Sequence, residues 1–161
     1  MKRTVGLFLV IAMLTALSTA FAWGSSTPPS TGNTGTLTTT GVTVGFGTAG
    51  IKSSIDTAKC YTGISTYKMS AAGLYLIDSD KKPTITLEID YWNNTKTQWE
   101  AGPKYNKLLP QTNAKNAQGV WVPSKQSAST SHSASSSLYY YGIFKKDYTS
   151  LPMCGSFTLY K

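Results

Sequence analysis

The clearest periodic pattern in this chain lies at residues 84–91, which read TITLEIDY. The apolar members of this segment share one parity and the polar members share the other, so a strand here would bury one face and expose the other. The same period of two runs through residues 41–47, where valine and phenylalanine alternate with glycine and threonine. Both segments are therefore predicted to be β-strands.

Weaker signals predict further strands, which lie at residues 73–77, 118–122, 138–145 and 154–161, with a short one near Trp99. The run DSDKKP at residues 78–83 supplies a turn that would join 73–77 and 84–91 into a hairpin. With about six to seven strands and little helix, the chain is predicted to be all-β. The expected architecture is a single antiparallel β-sandwich of Ig-like or jelly-roll-like type over residues 36–161.

Two stretches interrupt this pattern. Residues 92–117 are polar and are predicted to be a long excursion, a kind of segment that often carries function. Residues 124–137 consist mostly of Ser, Ala and Thr. They are either a loop or a pair of strands built from small residues.

Residues 1–22 have the three parts of a secretory signal peptide in the expected order. Lys2 and Arg3 form the positive start, an apolar run follows, and a small-x-small cleavage pattern ends at Ala22. The alternative is an uncleaved membrane anchor, because the apolar stretch is near the lower limit for a span. The cleavage pattern favours export, which predicts a protein that is secreted or held at the cell surface.

The mature chain is predicted to begin with a flexible lead-in at residues 23–35. This segment is rich in Ser, Thr, Gly and Pro and carries no charged side chain. It offers too little apolar surface to offset the entropy lost on ordering.

Removal of the signal peptide lowers the formal net charge from +8 to +6, because Lys2 and Arg3 leave with it. Arg3 is the only arginine of the chain, so the mature domain has none for bidentate recognition of phosphates or bases. Together with export, this argues against a nucleic-acid partner. The scattered lysines either attract polyanions such as acidic glycans and anionic membranes, or serve solubility alone.

The two cysteines, Cys60 and Cys154, are expected to form one disulfide in an oxidising compartment. The alternative is a reactive or metal-binding thiol. With one histidine in the whole chain, a Cys-His nucleophile pair is disfavoured, and two cysteines are too few for a structural zinc site.

Candidate catalytic groups are few. Glu88 and Asp90 project to one face of the predicted strand at residues 84–91. Paired carboxylates serve glycoside hydrolysis, but they equally solvate the polar face of a half-buried strand. His132, the only histidine, stands between serines with no acid near it in sequence to orient it as a base. We therefore predict no catalytic residue, no metal site and no cofactor.

The predicted binding residues are aromatic, and they are Trp92, Trp99, Tyr105, Trp121 and Tyr140. The first four lie in or beside the long excursion, and Tyr140 is the middle of three successive tyrosines, which cannot all face the core. Exposed rings beside amide side chains bind sugars or proteins. The alternative is that these rings pack in the core and pair across strands.

The predicted function is binding or assembly at the cell exterior by a non-enzymatic domain. Its partner would be an extracellular glycan or protein, or further copies of itself in a filament-like array, and the segment at 41–47 would pair within the chain or with a neighbouring subunit. One alternative is a secreted cationic antimicrobial or membrane-active protein, in which case a membrane is the partner. A second is a secreted hydrolase that uses Glu88, Asp90 or His132. Asn93 begins an N-glycosylation sequon, which matters only in a host that modifies it.

Overall fold

The computed structural model describes residues 26–111 and 113–161. The predicted signal peptide, residues 1–22, lies outside the described residues. The described part of the chain forms eleven strands and no helix, and so it holds no helix of the length and apolar character that crossing a membrane requires. In chain order the strands are β1 Val42–Gly45, β2 Ser54–Asp56, β3 Thr66–Leu76, β4 Thr84–Asn93, β5 Gln98–Glu100, β6 Lys104–Leu108, β7 Asn113–Lys115, β8 Trp121–Pro123, β9 Gln126–Ser133, β10 Tyr140–Lys146 and β11 Met153–Tyr160.

Nine of these strands build two antiparallel sheets. The front sheet has the order β1-β11-β3-β9. The back sheet has the order β2-β10-β4, and the free side of β4 pairs with β6 over Thr84–Glu88 and with β5 over Tyr91–Asn93. The remaining two, β7 and β8, pair with each other. In the front sheet β1 pairs with β11 of its own chain.

The prediction of an all-β, antiparallel fold is confirmed, but the predicted count of six to seven strands was too low. The strands that the sequence pattern missed, such as β2, β6 and β7, have three to five residues. A segment this short contains too few alternations to stand out from a loop.

The predicted hairpin between residues 73–77 and 84–91 was wrong, because β3 and β4 belong to different sheets. β3 pairs with β11 and β9, whereas β4 pairs with β10, β5 and β6. The turn at 78–83 therefore carries the chain from the front sheet to the back sheet. Each of the two strands buries one face, and those faces contribute to one common core.

Side chains from both sheets pack in this core. Phe157 of the front sheet stacks on Phe144 of the back sheet with ring centroids 6.2 Å apart, and Phe46 lies 4.8 Å from Phe144. Phe144 and Phe157 are fully buried. Burial of this kind is the main favourable contribution to folding, at about 25 cal/mol per Å² of apolar surface.

Two bulges interrupt the front sheet. The register between β11 and β3 shifts between Cys154 and Ser156, and the register between β3 and β9 shifts between Ala71 and Leu74. Gly155, in the first bulge, has a φ of 138°, and a Cβ there would lie 2.8 Å from the Leu74 side chain. The second bulge leaves two residues of β3 opposite one residue of β9, which locally separates these strands.

The described part of the predicted lead-in, residues 26–35, lies against the back sheet. The backbone oxygen of Thr27 accepts a hydrogen bond of 2.7 Å from Nε1 of Trp99. Thr34 forms an isolated bridge with Cys60, and the Cys60 N–H donates to Asn33 O at 2.9 Å. These backbone contacts give this Ser/Thr/Pro-rich segment a defined path despite its lack of apolar side chains.

The prediction of a disulfide was wrong, because Cys60 and Cys154 are both free and buried. Cys60 packs in an aromatic cluster on the outer side of the back sheet, and its thiol donates to Asn33 O at 3.5 Å. Cys154 pairs with Tyr75 on the front sheet, and its thiol donates to Thr48 O at 3.6 Å. The core therefore separates the two sulfur atoms, and each has a partner of its own.

Candidate functional site

The predicted aromatic binding residues do not form one exposed surface. Trp92, Trp99 and Tyr140 are 6%, 7% and 5% exposed. Trp92 and Trp99 come together on the back sheet with ring centroids 5.4 Å apart, and the Trp99 ring also meets Tyr141 edge-on at 4.8 Å. Tyr140 faces the other way, into the core, where its ring lies 5.1 Å from that of Tyr67. These three rings are therefore packing residues in this structure.

Tyr105 and Trp121 are half-buried and lie apart from that cluster. Tyr105 is on β6 and packs against the core. Trp121 is on the β7–β8 hairpin, where the Lys115 ammonium stands 5.0 Å from the ring centroid in a cation–π contact. Its neighbours Val120 and Val122 are 58% and 45% exposed.

Glu88 is buried on the outer side of the back sheet, between two lysines. Its carboxylate forms an ion pair with Lys145 of β10 and another, at 3.3 Å, with Lys104 of β6. Burial raises the pKa of Glu88, but hydrogen bonds from Lys145, Asp90 and Lys104 outweigh it and leave the pKa below its ordinary value. A hydrolase that used Glu88 would first have to break these contacts, because the side chain is 2% exposed.

Asp90 lies beside Glu88 with a different set of partners. The Tyr141 hydroxyl donates to its carboxylate at 3.2 Å, and the Gly102 N–H approaches it at 3.4 Å. Burial, together with the hydrogen bond and the charge of Glu88, raises the pKa of Asp90 to about 6. The pKa values of the two carboxyl groups are therefore shifted in opposite directions, Glu88 down and Asp90 up. This is expected when two neighbouring acids share one proton.

His132 is 7% exposed and points inward from β9, opposite Tyr67 of β3. Burial lowers its pKa, and a hydrogen bond with the Leu87 backbone opposes this. Within the described residues its Nε2 atom is buried without a hydrogen-bond partner. The adjacent serines point to the opposite side of the strand and are exposed, so sequence proximity creates no Ser–His pair.

Asn93 uses its side chain to close the turn between β4 and β5. Its Oδ1 accepts hydrogen bonds of 3.0 Å from the backbone N–H groups of Thr95 and Lys96, and its Nδ2 donates to Glu100 at 2.9 Å. Hydrogen bonds from Lys96, Asn93 and Tyr91 lower the pKa of Glu100 to about 2. Glycosylation of Asn93 stays a prediction. The Asn93 side chain forms three hydrogen bonds within the structure.

The outer side of the front sheet presents a regular array of hydroxyl groups, which we call the hydroxyl face. Its hydroxyl groups belong to Thr43, Thr66, Ser70, Ser129, Ser131, Ser133, Ser156, Thr158 and Tyr160, and Lys68 lies among them. One row crosses all four strands through Thr43, Thr158, Ser70 and Ser129. The hydroxyls of Thr43 and Thr158 are hydrogen-bonded at 2.8 Å.

The second row of the hydroxyl face passes through Tyr160, Lys68 and Ser131. The Lys68 ammonium lies 6.0 Å from the centroid of the Tyr160 ring, so the cation and the aromatic ring are neighbours. This row places the one charged side chain of the front-sheet strands next to the phenol of Tyr160.

Acidic residues are divided unevenly between the sheets. The strands of the front sheet contain no Asp or Glu. Those of the back sheet contain four, which are Asp56, Glu88, Asp90 and Glu100. The hydroxyl face is therefore neutral to weakly positive, with Lys68 as its cation.

Across residues 26–111 and 113–161, no group of three or more His, Cys, Asp or Glu side chains is placed to hold a metal ion. Comparison of the chain with models of known protein families, with characterised proteins and with solved structures found no match.

Proposed function

We propose that this protein is an exported, non-enzymatic binding domain, that its two sheets form a β-sandwich, and that its hydroxyl face binds a surface glycan outside the cell. The export part rests on the pattern of residues 1–22. The glycan part rests on the hydroxyl face.

The observation that best supports glycan binding is the row of hydroxyls Thr43–Thr158–Ser70–Ser129, which lies on strands that carry no carboxylate. Each hydroxyl offers one donor and two acceptor positions, as the hydroxyls of a sugar do. Neighbouring strands place them about 4.8 Å apart, and alternate residues along a strand about 6.6 Å apart. Such an array suits a polymer with many closely spaced hydroxyls, and Tyr160 adds a ring of the kind that packs on sugars.

The test is a depletion assay with insoluble polysaccharides and cell-wall preparations, in which unbound protein is measured after centrifugation. We expect depletion by at least one polymer. The variant Ser70→Glu, which places a carboxylate in the centre of the hydroxyl face, is expected to abolish it. A far-ultraviolet circular dichroism spectrum checks that this variant is folded.

The matched control for charge is the pair Lys68→Glu and Lys52→Glu. Both replace one exposed lysine by glutamate, but Lys52 lies before β2, away from the hydroxyl face. Binding should fall for Lys68→Glu and persist for Lys52→Glu. Equal behaviour of these two variants, or no depletion by any polymer, would contradict the proposal.

A second candidate function, self-assembly, is favoured by the edge strand β9. It pairs with β3 on one side and with no strand of the described residues on the other. Its eight residues include no Lys, Glu, Asp or Pro, the residues that usually protect an edge from pairing with another chain. The Ala134 N–H donates to Ser65 O, so Ala134 directs its backbone groups toward β3. In an antiparallel strand this direction alternates from residue to residue. Ser129, Ser131 and Ser133 therefore direct their backbone N–H and C=O groups to the free side.

We propose that β9 pairs antiparallel with β9 of a second copy. Sedimentation velocity over a range of concentrations should then show a dimer. Ser131→Pro removes an edge N–H and should give a monomer, whereas Ser131→Ala keeps that N–H and should remain dimeric. A concentration-independent monomer for the unmodified protein would exclude this assembly.

A further inference from the structure

A cleft of about 340 Å³ lies where β6 and β9, the edge strands of the two sheets, come together. Its walls come from β3, β6 and β9, and the lining residues are Ser70, Ala71, Ala72, Tyr105, Lys107, Ser127, Ala128 and Ser129. The bulge in β3 between Ala71 and Leu74 lies at this position and separates β3 from β9. The cleft is thus a consequence of the irregular pairing at the edge of the front sheet.

Lys107 is the only charged residue among those that line the cleft. Its side chain is half-buried and reaches from the back sheet to the front sheet, where Nζ donates to Ser127 O at 2.9 Å. Among the described residues the ion-paired lysines are Lys96, Lys104 and Lys145, so the Lys107 ammonium has no carboxylate partner there. An ammonium has three donors, and this one therefore retains two for a ligand.

The other walls of the cleft suit a hydroxylated ring. Ser70, Ser127 and Ser129 contribute hydroxyls, and Tyr105 contributes a phenol and an aromatic surface. Ser70 and Ser129 also belong to the hydroxyl face, where they are paired in register. The cleft is therefore continuous with that face.

We infer that this cleft binds one carboxylate-bearing sugar residue, a uronic acid unit, of a polymer that lies along the hydroxyl face. Lys107 would pair with the carboxylate, the three serines would bond the ring hydroxyls, and Tyr105 would pack on the ring. Small-molecule pockets span about 300 to 1,000 Å³, so a cleft of this size holds one ring and not an extended chain. This inference rests on the proposed glycan-binding function and names the sugar that its surface selects.

Isothermal titration calorimetry with a galacturonate hexasaccharide and with the neutral galactose hexasaccharide provides the test. We expect the acidic probe to bind more tightly to the unmodified protein. Lys107→Met keeps the length of the side chain and removes the charge, and it should weaken binding of the acidic probe by about tenfold or more. It should weaken binding of the neutral probe much less, so that the ratio of the two affinities falls toward one. Lys82→Met, at an exposed position in the turn between β3 and β4, is the control for the loss of one positive charge.

The outcomes separate this inference from the function on which it rests. If both probes bind equally and Lys107→Met changes neither, the uronic acid site is refuted while glycan binding stands. If preference for the acidic probe is lost in Lys68→Glu but kept in Lys107→Met, the hydroxyl face and not the cleft reads the carboxylate, which also refutes it. If neither probe binds and the polysaccharide assay is negative, both proposals fail. Acetate could also displace the galacturonate hexasaccharide completely at an equal concentration. The cleft would then be a general anion site, and the assignment to a sugar would be overturned.

Discussion

Asp90→Asn is expected to stabilise this protein at neutral pH and to leave its stability nearly unchanged in acid. At pH 7.5 the Asp90 carboxyl is ionised beside the Glu88 carboxylate on the outer side of the back sheet. An asparagine removes that repulsion, and its Nδ2 can donate to Glu88 as the protonated acid would. Its Oδ1 can still accept from the Gly102 N–H, which now approaches Asp90 at 3.4 Å.

The size of this stabilisation follows from the pKa of Asp90. A rise from 3.8 to about 6 in the folded state corresponds to about 3 kcal/mol if the whole difference is converted. Water reaches part of the Asp90 side chain, and screening leaves about 1 kcal/mol. For a domain of this length that is about 4 °C in the melting temperature.

The direction of the pH dependence follows from the linkage between protonation and folding. Because the folded-state pKa lies above the unfolded value, the folded protein binds more protons between pH 3.8 and about 6. The stabilising effect of protonated Asp90 is therefore complete below pH 3.8 and is lost as the pH rises through about 6.

Urea unfolding at pH 4.0, 5.0, 6.0 and 7.5, followed by tryptophan fluorescence, measures the difference between the variant and the unmodified protein. The difference should grow from near zero at pH 4.0 to about 1 kcal/mol in favour of Asp90→Asn at pH 7.5. Asp80→Asn, in the exposed turn after β3, is the control for removal of one acidic residue. A variant that is less stable at pH 7.5, or a difference that does not depend on pH, would refute the reasoning.

Two further predictions concern the thiols and the core. With both cysteines free, alkylation with iodoacetamide in denaturant without reductant should add two carbamidomethyl groups, and no addition in intact-mass spectrometry would show a disulfide instead. Burial raises the pKa of the Cys60 thiol to about 11, so in the folded protein at pH 8 its alkylation should be far slower than in denaturant. Phe144→Ala, at a fully buried ring between Phe46 and Phe157, should cost about 3 to 5 kcal/mol in urea unfolding, whereas Tyr148→Ala at an exposed ring should cost well under 1 kcal/mol.

The strands that sequence periodicity predicts well are those without irregularities. β4 alternates without interruption, and its prediction is accurate to within two residues. β3 has eleven residues, yet only its end at 73–77 carries a visible signal. The bulge explains this, because Ala71 and Leu74 are both buried and the parity of the buried positions changes between them. A single extra residue therefore divides one long pattern into two short ones.

The burial of the aromatic residues depends on contacts that sequence patterns do not contain. Trp92 and Trp99 lie on the outer side of the back sheet, where alternation alone would expose them. The described lead-in covers this side, through the hydrogen bond between Trp99 and Thr27 and the bridge between Thr34 and Cys60. A segment that is 72 residues away from Trp99 in sequence thus decides whether its ring is exposed.

The sequence of residues 124–137 does not distinguish a loop from a pair of strands, because serine and alanine give no strong hydrophobic period. The buried positions of β9 are Ala128 and His132, and its exposed ones are serines. Its pairing with β3 becomes evident only once β3 itself is placed in the front sheet.

The division of charge between the two sheets depends on the same assignment. If β3 and β4 had formed a hairpin, the outward residues of β3, including Lys68, would have shared one sheet surface with Glu88 and Asp90 of β4. The hydroxyls would then have bordered carboxylates, and an acidic glycan would have been repelled. Because the turn at 78–83 carries the chain across the core instead, Glu88 and Asp90 lie on the back sheet and Lys68 lies on the front sheet, whose strands contain no Asp or Glu. The absence of carboxylates from the strands that carry the hydroxyl face is therefore a consequence of this crossover, and it would not follow from the composition of the chain alone.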